Sequence, residues 1–219
     1  RQYLLTVDDY SGWTDITTVK TQQNFLPVIQ QQFARQPSLP KKIRMGHGGV
    51  FDSTAFRTWM GEKNIKPEYC QPRRHQQNGC AESTIESVND MARCMMVASG
   101  LNGKYWSFAV RYAAFTRNRV VLSAGRQSPY FLSYGKHYDL STLQPFGCTA
   151  YALNDFERLF KLGDKTVQGK FLGYPVETGG PSALLLLDSG KILRTRDIVF
   201  KPSNEELKVM MPTTEDPLD

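Results

Sequence analysis

Short apolar and β-branched runs open the chain, hydrophobic positions recur at helical spacing through its middle, and short apolar pieces separated by turns follow toward its end. Residues 3–7 (Tyr-Leu-Leu-Thr-Val) predict a buried strand, closed by the turn-prone run Asp8-Asp9-Tyr10-Ser11-Gly12. Residues 13–19 are rich in β-branched types and predict a second strand, so the two make a hairpin. Over residues 21–35, Phe25, Val28, Ile29 and Phe33 recur with helical period, and Pro37 and Pro40 close that helix. Residues 42–45 predict a short strand. Residues 53–63 predict an amphipathic helix with Phe56, Trp59 and Met60 on one face, and residues 65–69 a further strand. The order β-β-α-β-α-β is that of an α/β domain with an antiparallel hairpin.

A loop over residues 71–79 leads to a long helix, residues 80–99, which Gly100 stops. Ala81, Ile85, Val88, Met91, Ala92, Met95 and Met96 gather on one side and are expected in the core. Glu82, Glu86, Asn89 and Arg93 form a polar stripe opposite, either a solvated face or the edge of a site. A second helix over residues 104–119 is expected to bury Trp106, Ala109, Val110 and Ala113. Residues 123–145, with Gly125, Pro129, Gly135 and Pro145, read as irregular. From Phe146 the pattern changes to short apolar pieces at 149–153, 169–174, 182–187 and 192–200, which predict a small all-β barrel. The stretch from Pro202 onward reads as a linker or disordered tail.

Charge sharpens this outline. The net charge is +6, but the stretch from Pro202 carries −4, leaving +10 on the rest. A basic body with an acidic tail suits a polyanionic partner, because Lys and Arg contacts to phosphate give sequence-independent affinity. No apolar run is long enough to cross a bilayer, and the apolar stretch before Asp8 is too short for a signal peptide. A nuclear or cytoplasmic setting is therefore expected, with no secretion and no membrane partner. Cys70, Cys80, Cys94 and Cys148 lack metal-ligand spacing and read as reduced, mostly packed thiols.

Short motifs run the length of the chain: Val7-Asp8-Asp9-Tyr10-Ser11, Ile43-Arg44 before Gly48-Gly49, Gln76-Gln77-Asn78-Gly79 before Ala81-Glu82, and Met91-Ala92-Arg93. Then come Trp106 with Asn118-Arg119, Ser128-Pro129-Tyr130, Phe146-Gly147-Cys148, Gly169-Lys170-Phe171-Leu172-Gly173-Tyr174 and Arg196-Asp197-Ile198-Val199-Phe200. In this order, over about residues 3–200, the set resembles the integrase of copia-type (pseudoviral) retrotransposons. The resemblance implies a ribonuclease-H-like integrase core with trailing helices over residues 1–122, a linker at 123–145, an SH3-like β-barrel at 146–201 and an acidic tail at 202–219. It also implies descent from an enzyme that joins DNA ends to target DNA with two divalent metal ions, magnesium or manganese, held by two aspartates and a glutamate.

Set against that triad, Glu82 matches the family's glutamate, in Asn78-Gly79-Cys80-Ala81-Glu82. The family's second aspartate stands in Arg-Ser-Asp-Asn-Gly-Gly, whereas here Arg44-Met45-Gly46-His47-Gly48-Gly49 puts Gly46 in its place. Thirty-five residues separate Gly46 from Glu82, the family's own interval, so the register is kept and the carboxylate is lost. His47 beside one glutamate makes a thin site for any metal. The family's first aspartate falls upstream of Arg1, on a strand central to the sheet, so a gap beside residues 3–7 is expected, with either a natural protein that extends upstream or a sheet that is not full. Asp8 and Asp9 read as turn formers rather than ligands. Where the family carries cations after its glutamate, Ser83, Thr84, Ile85 and Glu86 follow here.

The expected function is that of an integrase-like, nucleic-acid-binding protein without catalysis in this form, needing no cofactor. The alternative is an integrase-derived module retained to bind DNA or protein. Candidate contacts to duplex DNA are Lys41, Lys42, Arg44, Arg73, Arg74, Gln77, Asn78, Arg117 and Arg119, and the family leaves room for a homo-oligomer.

Overall fold

The computed structural model describes residues 2–19, 25–36, 38–46, 49, 51–70, 78–153, 166–175 and 182–201. Strands β1 (Gln2–Val7) and β2 (Thr14–Val19) form the expected antiparallel hairpin, with Leu5 opposite Ile16. Asp8 builds the turn: its Oδ2 accepts from the Ser11 N–H at 2.8 Å and from Ser11 Oγ at 2.7 Å. Helix α1 (Phe25–Ala34) buries Ile29, Gln32 and Phe33. The Gln32 amide, fully buried, donates to Thr17 Oγ1 at 3.2 Å and accepts from Thr6 Oγ1 at 3.4 Å, so one polar group ties α1 to both strands.

Strands β3 (Lys42–Met45) and β4 (Lys66–Tyr69) pair in parallel. Parallel pairing needs a crossover, which α2 (Thr54–Glu62) supplies. Ser53 caps that helix by accepting from the Phe56 N–H at 3.3 Å. Leu4, Ile29, Phe33, Met45, Phe56, Trp59, Met60 and Ile65 make one core, with Phe33 and Trp59 stacked at 6.0 Å. Among the described residues, β1–β2 and β3–β4 stand as two separate two-stranded sheets.

Helix α3 (Gly79–Ser99) is as predicted, but its buried line is Thr84, Val88 and Ala92, four residues apart. Thr84 enters the core because its Oγ1 donates to the Cys80 carbonyl at 2.7 Å. Ile85, expected in the core, is 36% exposed instead. Helix α4 (Trp106–Arg117) buries Ala109, Val110 and Ala113 as expected, together with Tyr112; Trp106 is only half-buried.

Residues 123–145 are not irregular throughout. Helix α5 (Pro129–Tyr134) lies there, with Ser128 accepting from the Phe131 N–H at 3.2 Å, Pro129 in the first turn and Gly135 in the left-handed region at its end. A 3-10 turn at Leu140–Thr142 follows, capped by Asp139.

Among the described residues, the expected β region forms one antiparallel sheet of five strands: β5 (Thr149–Leu153), β6 (Thr166–Phe171), β7 (Ala183–Leu187), β8 (Ile192–Thr195) and β9 (Ile198–Phe200). Their order is β8-β7-β6-β5-β9, so the single strand expected over 192–200 is split, and β9 crosses over to pair with β5. Ala150, Ala152 and Leu185 point inward with Val167, Leu193, Ile198 and Phe200. The chain divides into two compact units, Arg1–Val88 with Val121–Lys136 and Asn89–Val120 with His137–Asp219. The acidic tail lies outside the described residues.

Candidate functional site

Gly46 follows directly on β3 and is half-buried. Its φ lies outside the left-handed region, and a Cβ built on it would meet no atom within 4 Å. Neither backbone conformation nor crowding therefore requires glycine at this position. Glu82 lies in the first turn of α3 and is half-buried, where the helix dipole favours an anion. Among the described residues, no three His, Cys, Asp or Glu side chains converge as metal ligands would. His47 lies outside those residues, and Asp8 is engaged in its turn.

The outward side of α3 is acidic rather than cationic. Glu86 and Asp90 are exposed, and the one basic residue of the helix, Arg93, pairs with Asp90.

The candidate cations fall into different settings. Lys41 is exposed. Lys42 and Arg44 lie two residues apart on β3, so their side chains share a face. Both reach the same carboxylate, Glu68 of β4, at 3.7 and 3.2 Å. Sequence reasoning missed Glu68 because its partners come from a parallel strand, twenty-four and twenty-six residues away; an acid alternating with Pro67 and Tyr69 carries no mark of that register. Asn78 is half-buried at the start of α3, whereas Arg73, Arg74 and Gln77 lie outside the described residues.

Arg117 ends α4, half-buried. Arg119 is held within the fold. Its guanidinium lies 3.3 Å from the Phe115 ring centroid and 4.7 Å from that of Tyr138, and it donates to the Phe115 carbonyl at 2.8 Å.

Several of the motif residues turn out to be packing devices of the second unit. Tyr112 donates to the Gln144 carbonyl and stacks on Phe146 at 6.1 Å and edgewise on Phe171 at 5.3 Å. Gly173, at φ +103°, leaves room for Tyr112, whose ring carbon would stand 3.0 Å from any Cβ there. Tyr174 packs at 4.9 Å from Phe115 and donates to the Thr142 carbonyl at 3.0 Å. Burial pushes the Tyr174 phenol up to about 12, with Tyr138 and Cys148 acting in the same direction and Arg119 against them. Burial likewise raises Tyr112. In the first unit, Tyr130 of α5 lies 6.4 Å from Trp13, and Tyr134 meets Trp13 edgewise at 5.4 Å.

A family model of the retroviral polymerase SH3-like domain matches residues 148–211. The Pol polyprotein of transposon TNT 1-94 from Nicotiana tabacum is 30% identical over 213 residues, covering 92% of this chain and 16% of the relative. The Pol polyprotein of transposon RE2 from Arabidopsis thaliana is 23% identical over 209 residues, covering 91% of this chain and 14% of the relative. The chain thus spans about a sixth of the length of these curated relatives. Among solved structures, a chain of the simian T-cell lymphotropic virus intasome in complex with the PP2A regulatory subunit B56 gamma superposes with a TM-score of 0.55 at 14% identity, covering 92% of this chain and 73% of that one. The catalytic core domain of BIV integrase superposes with a TM-score of 0.51 at 16% identity, covering 61% of this chain and 85% of that one. The fold is accordingly α/β of the ribonuclease-H-like integrase type, followed by an SH3-like β domain.

Proposed function

We propose that this chain is an integrase-related stretch of a copia-type retrotransposon Pol polyprotein and that it binds nucleic acid without carrying out two-metal chemistry itself. One observation carries the reading. Gly46 stands in the register of the family's second aspartate, at the end of β3, where the backbone and the open space around it would accept a carboxylate that the sequence does not provide.

The donor set that remains does not fit the pair of hard cations the family would imply. Magnesium and manganese need several carboxylate oxygens, and two-ion sites share carboxylates between them. Glu82 is a single acid at a helix start, so no reaction step follows from it. We read residues 1–122 as the core-like part and 146–201 as the SH3-like part. Duplex contacts fall to the exposed cations Lys41, Lys42 and Arg44, together with Arg73, Arg74, Gln77, Asn78 and Arg117, in a nuclear or cytoplasmic setting and with room for self-association.

Two measurements test this reading. Strand transfer with magnesium or manganese on end-mimicking DNA is expected to give no joined product, and product above background overturns the non-catalytic part. Duplex affinity across a salt series is expected to fall linearly on logarithmic axes; a flat slope removes the binding part.

A further inference from the structure

The five strands β5–β9 contain no aspartate or glutamate, although they carry Lys170 and Arg194; Asp197 immediately precedes β9 and Lys201 immediately follows it. Strand alternation sorts their side chains. Ala150, Ala152, Gly169 and Phe171 are buried on the inner face, which leaves Thr149, Tyr151, Leu153, Thr166, Gln168, Lys170 and Val199 on the outer one.

Register aligns these residues in rows. Lys170 stands opposite Thr149, and its Nζ donates to Thr149 Oγ1 at 3.2 Å. The Lys201 N–H donates to the Thr149 carbonyl at 3.1 Å. In the next row, Tyr151 stands between Gln168 and Val199. Two lysines therefore flank one tyrosine about two strand spacings apart, roughly 10 Å. The Lys201 Nζ already lies 5.9 Å over the Tyr151 ring.

From this juxtaposition we propose that the outer face of β6-β5-β9 binds single-stranded nucleic acid, with a base stacked on Tyr151 and the adjoining phosphates held by Lys170 and Lys201. Two lysines on this face select a polyanion, the exposed Asp197 standing at its far edge beside Leu153, and a half-exposed ring at its centre selects a ligand with an accessible π-face. A duplex keeps its bases stacked within itself and presents only phosphate to such a surface. The Thr149 hydroxyl and Gln168 amide add donors and acceptors to the same rows. The inference deepens the nucleic-acid reading above but draws on other residues, so the two can fail separately.

The test is fluorescence anisotropy of the full chain with a labelled oligo-dT, an oligo-rU and a duplex. Tyr151→Leu is expected to weaken single-strand binding about 5- to 100-fold while leaving duplex affinity within about two-fold. Tyr151→Phe, which keeps the ring and the packing, is expected to retain single-strand binding. The double variant Lys170→Gln, Lys201→Gln is expected to reduce the single-strand salt slope by about 1.4. Tighter binding of dT or of rU identifies which strand is the ligand, and either supports the proposal. Unchanged single-strand affinity in Tyr151→Leu, equal loss of duplex and single strand, or no single-strand binding at low salt each overturns it. Loss of duplex binding in Lys42→Gln, Arg44→Gln with single-strand binding intact supports both readings as separate surfaces.

Discussion

Ser99, the last residue of α3, closes directly over Gly147, so a Cβ on that glycine would overlap the Ser99 Cβ. Gly147 also has φ +79°, a conformation that L side chains rarely adopt. Gly147→Ala combines both penalties and is expected to cost roughly 2–4 kcal/mol, read from the denaturant midpoint. Adding Ser99→Gly should recover the steric part and leave the conformational part. A Gly147→Ala protein as stable as the parent would mean that this approach is not kept in solution.

Gly46 is expected to behave in the opposite way. Its φ is ordinary and its surroundings are open, so Gly46→Ala should stabilise by about 0.4–1 kcal/mol through the unfolded chain. Thermal denaturation decides this; a loss above about 1 kcal/mol would show that the position is conformationally constrained after all.

Glu68 draws on both Lys42 and Arg44, and all three are substantially exposed. Such pairs contribute about 0–1 kcal/mol, so Glu68→Gln should barely move the melting temperature. It should, however, release two cations to a phosphate backbone. Duplex affinity at low salt is expected to rise, with a steeper salt dependence. If neither changes, Lys42 and Arg44 do not contact DNA.

Tyr174 supplies a pH test. Its folded phenol titrates at about 12 against an ordinary 10, chiefly because burial disfavours the charged form. A group whose folded value is raised stabilises fully below the unfolded value, and that contribution is lost as pH rises through the folded one. Stability should therefore fall between about pH 10 and 12. Tyr174→Phe should begin slightly less stable, having lost the bond to Thr142, and then decline less steeply over that interval. Parallel decline in both proteins would place the transition elsewhere, with Tyr112 the next group to replace.

What the sequence revealed, and what it hid, follows from the range of the interactions concerned. The hairpin, α1 to α4 and the β5–β9 region were legible because burial imposes a period of two or 3.6 on the chain itself. Ile85 was misplaced because side-chain type alone cannot show that Thr84 satisfies its hydroxyl on Cys80 and so can take the buried position. Helix α5 was missed although Ser128-Pro129 and Gly135 are start and stop signals; with six residues, it was too short for a hydrophobic period to register. Gly46 and Glu82 were found by their motif interval, which is local. The sharing of Glu68, the caging of Arg119 and the row holding Lys170, Thr149 and Lys201 depend on strand register and tertiary packing, and no spacing in the chain encodes them.

Strand β7 consists of Ala183-Leu184-Leu185-Leu186-Leu187, an uncharged run with no proline, and it is hydrogen-bonded by β6 on one side and β8 on the other. While both neighbours are in place its backbone is covered. Once the sheet opens, the same run becomes an adhesive segment able to zip onto its counterpart in another molecule, with no gatekeeping charge inside it to interrupt the match. Recovery from denaturant should then depend on protein concentration, and the practical lifetime of the folded chain would be governed by how seldom β6 or β8 lets go.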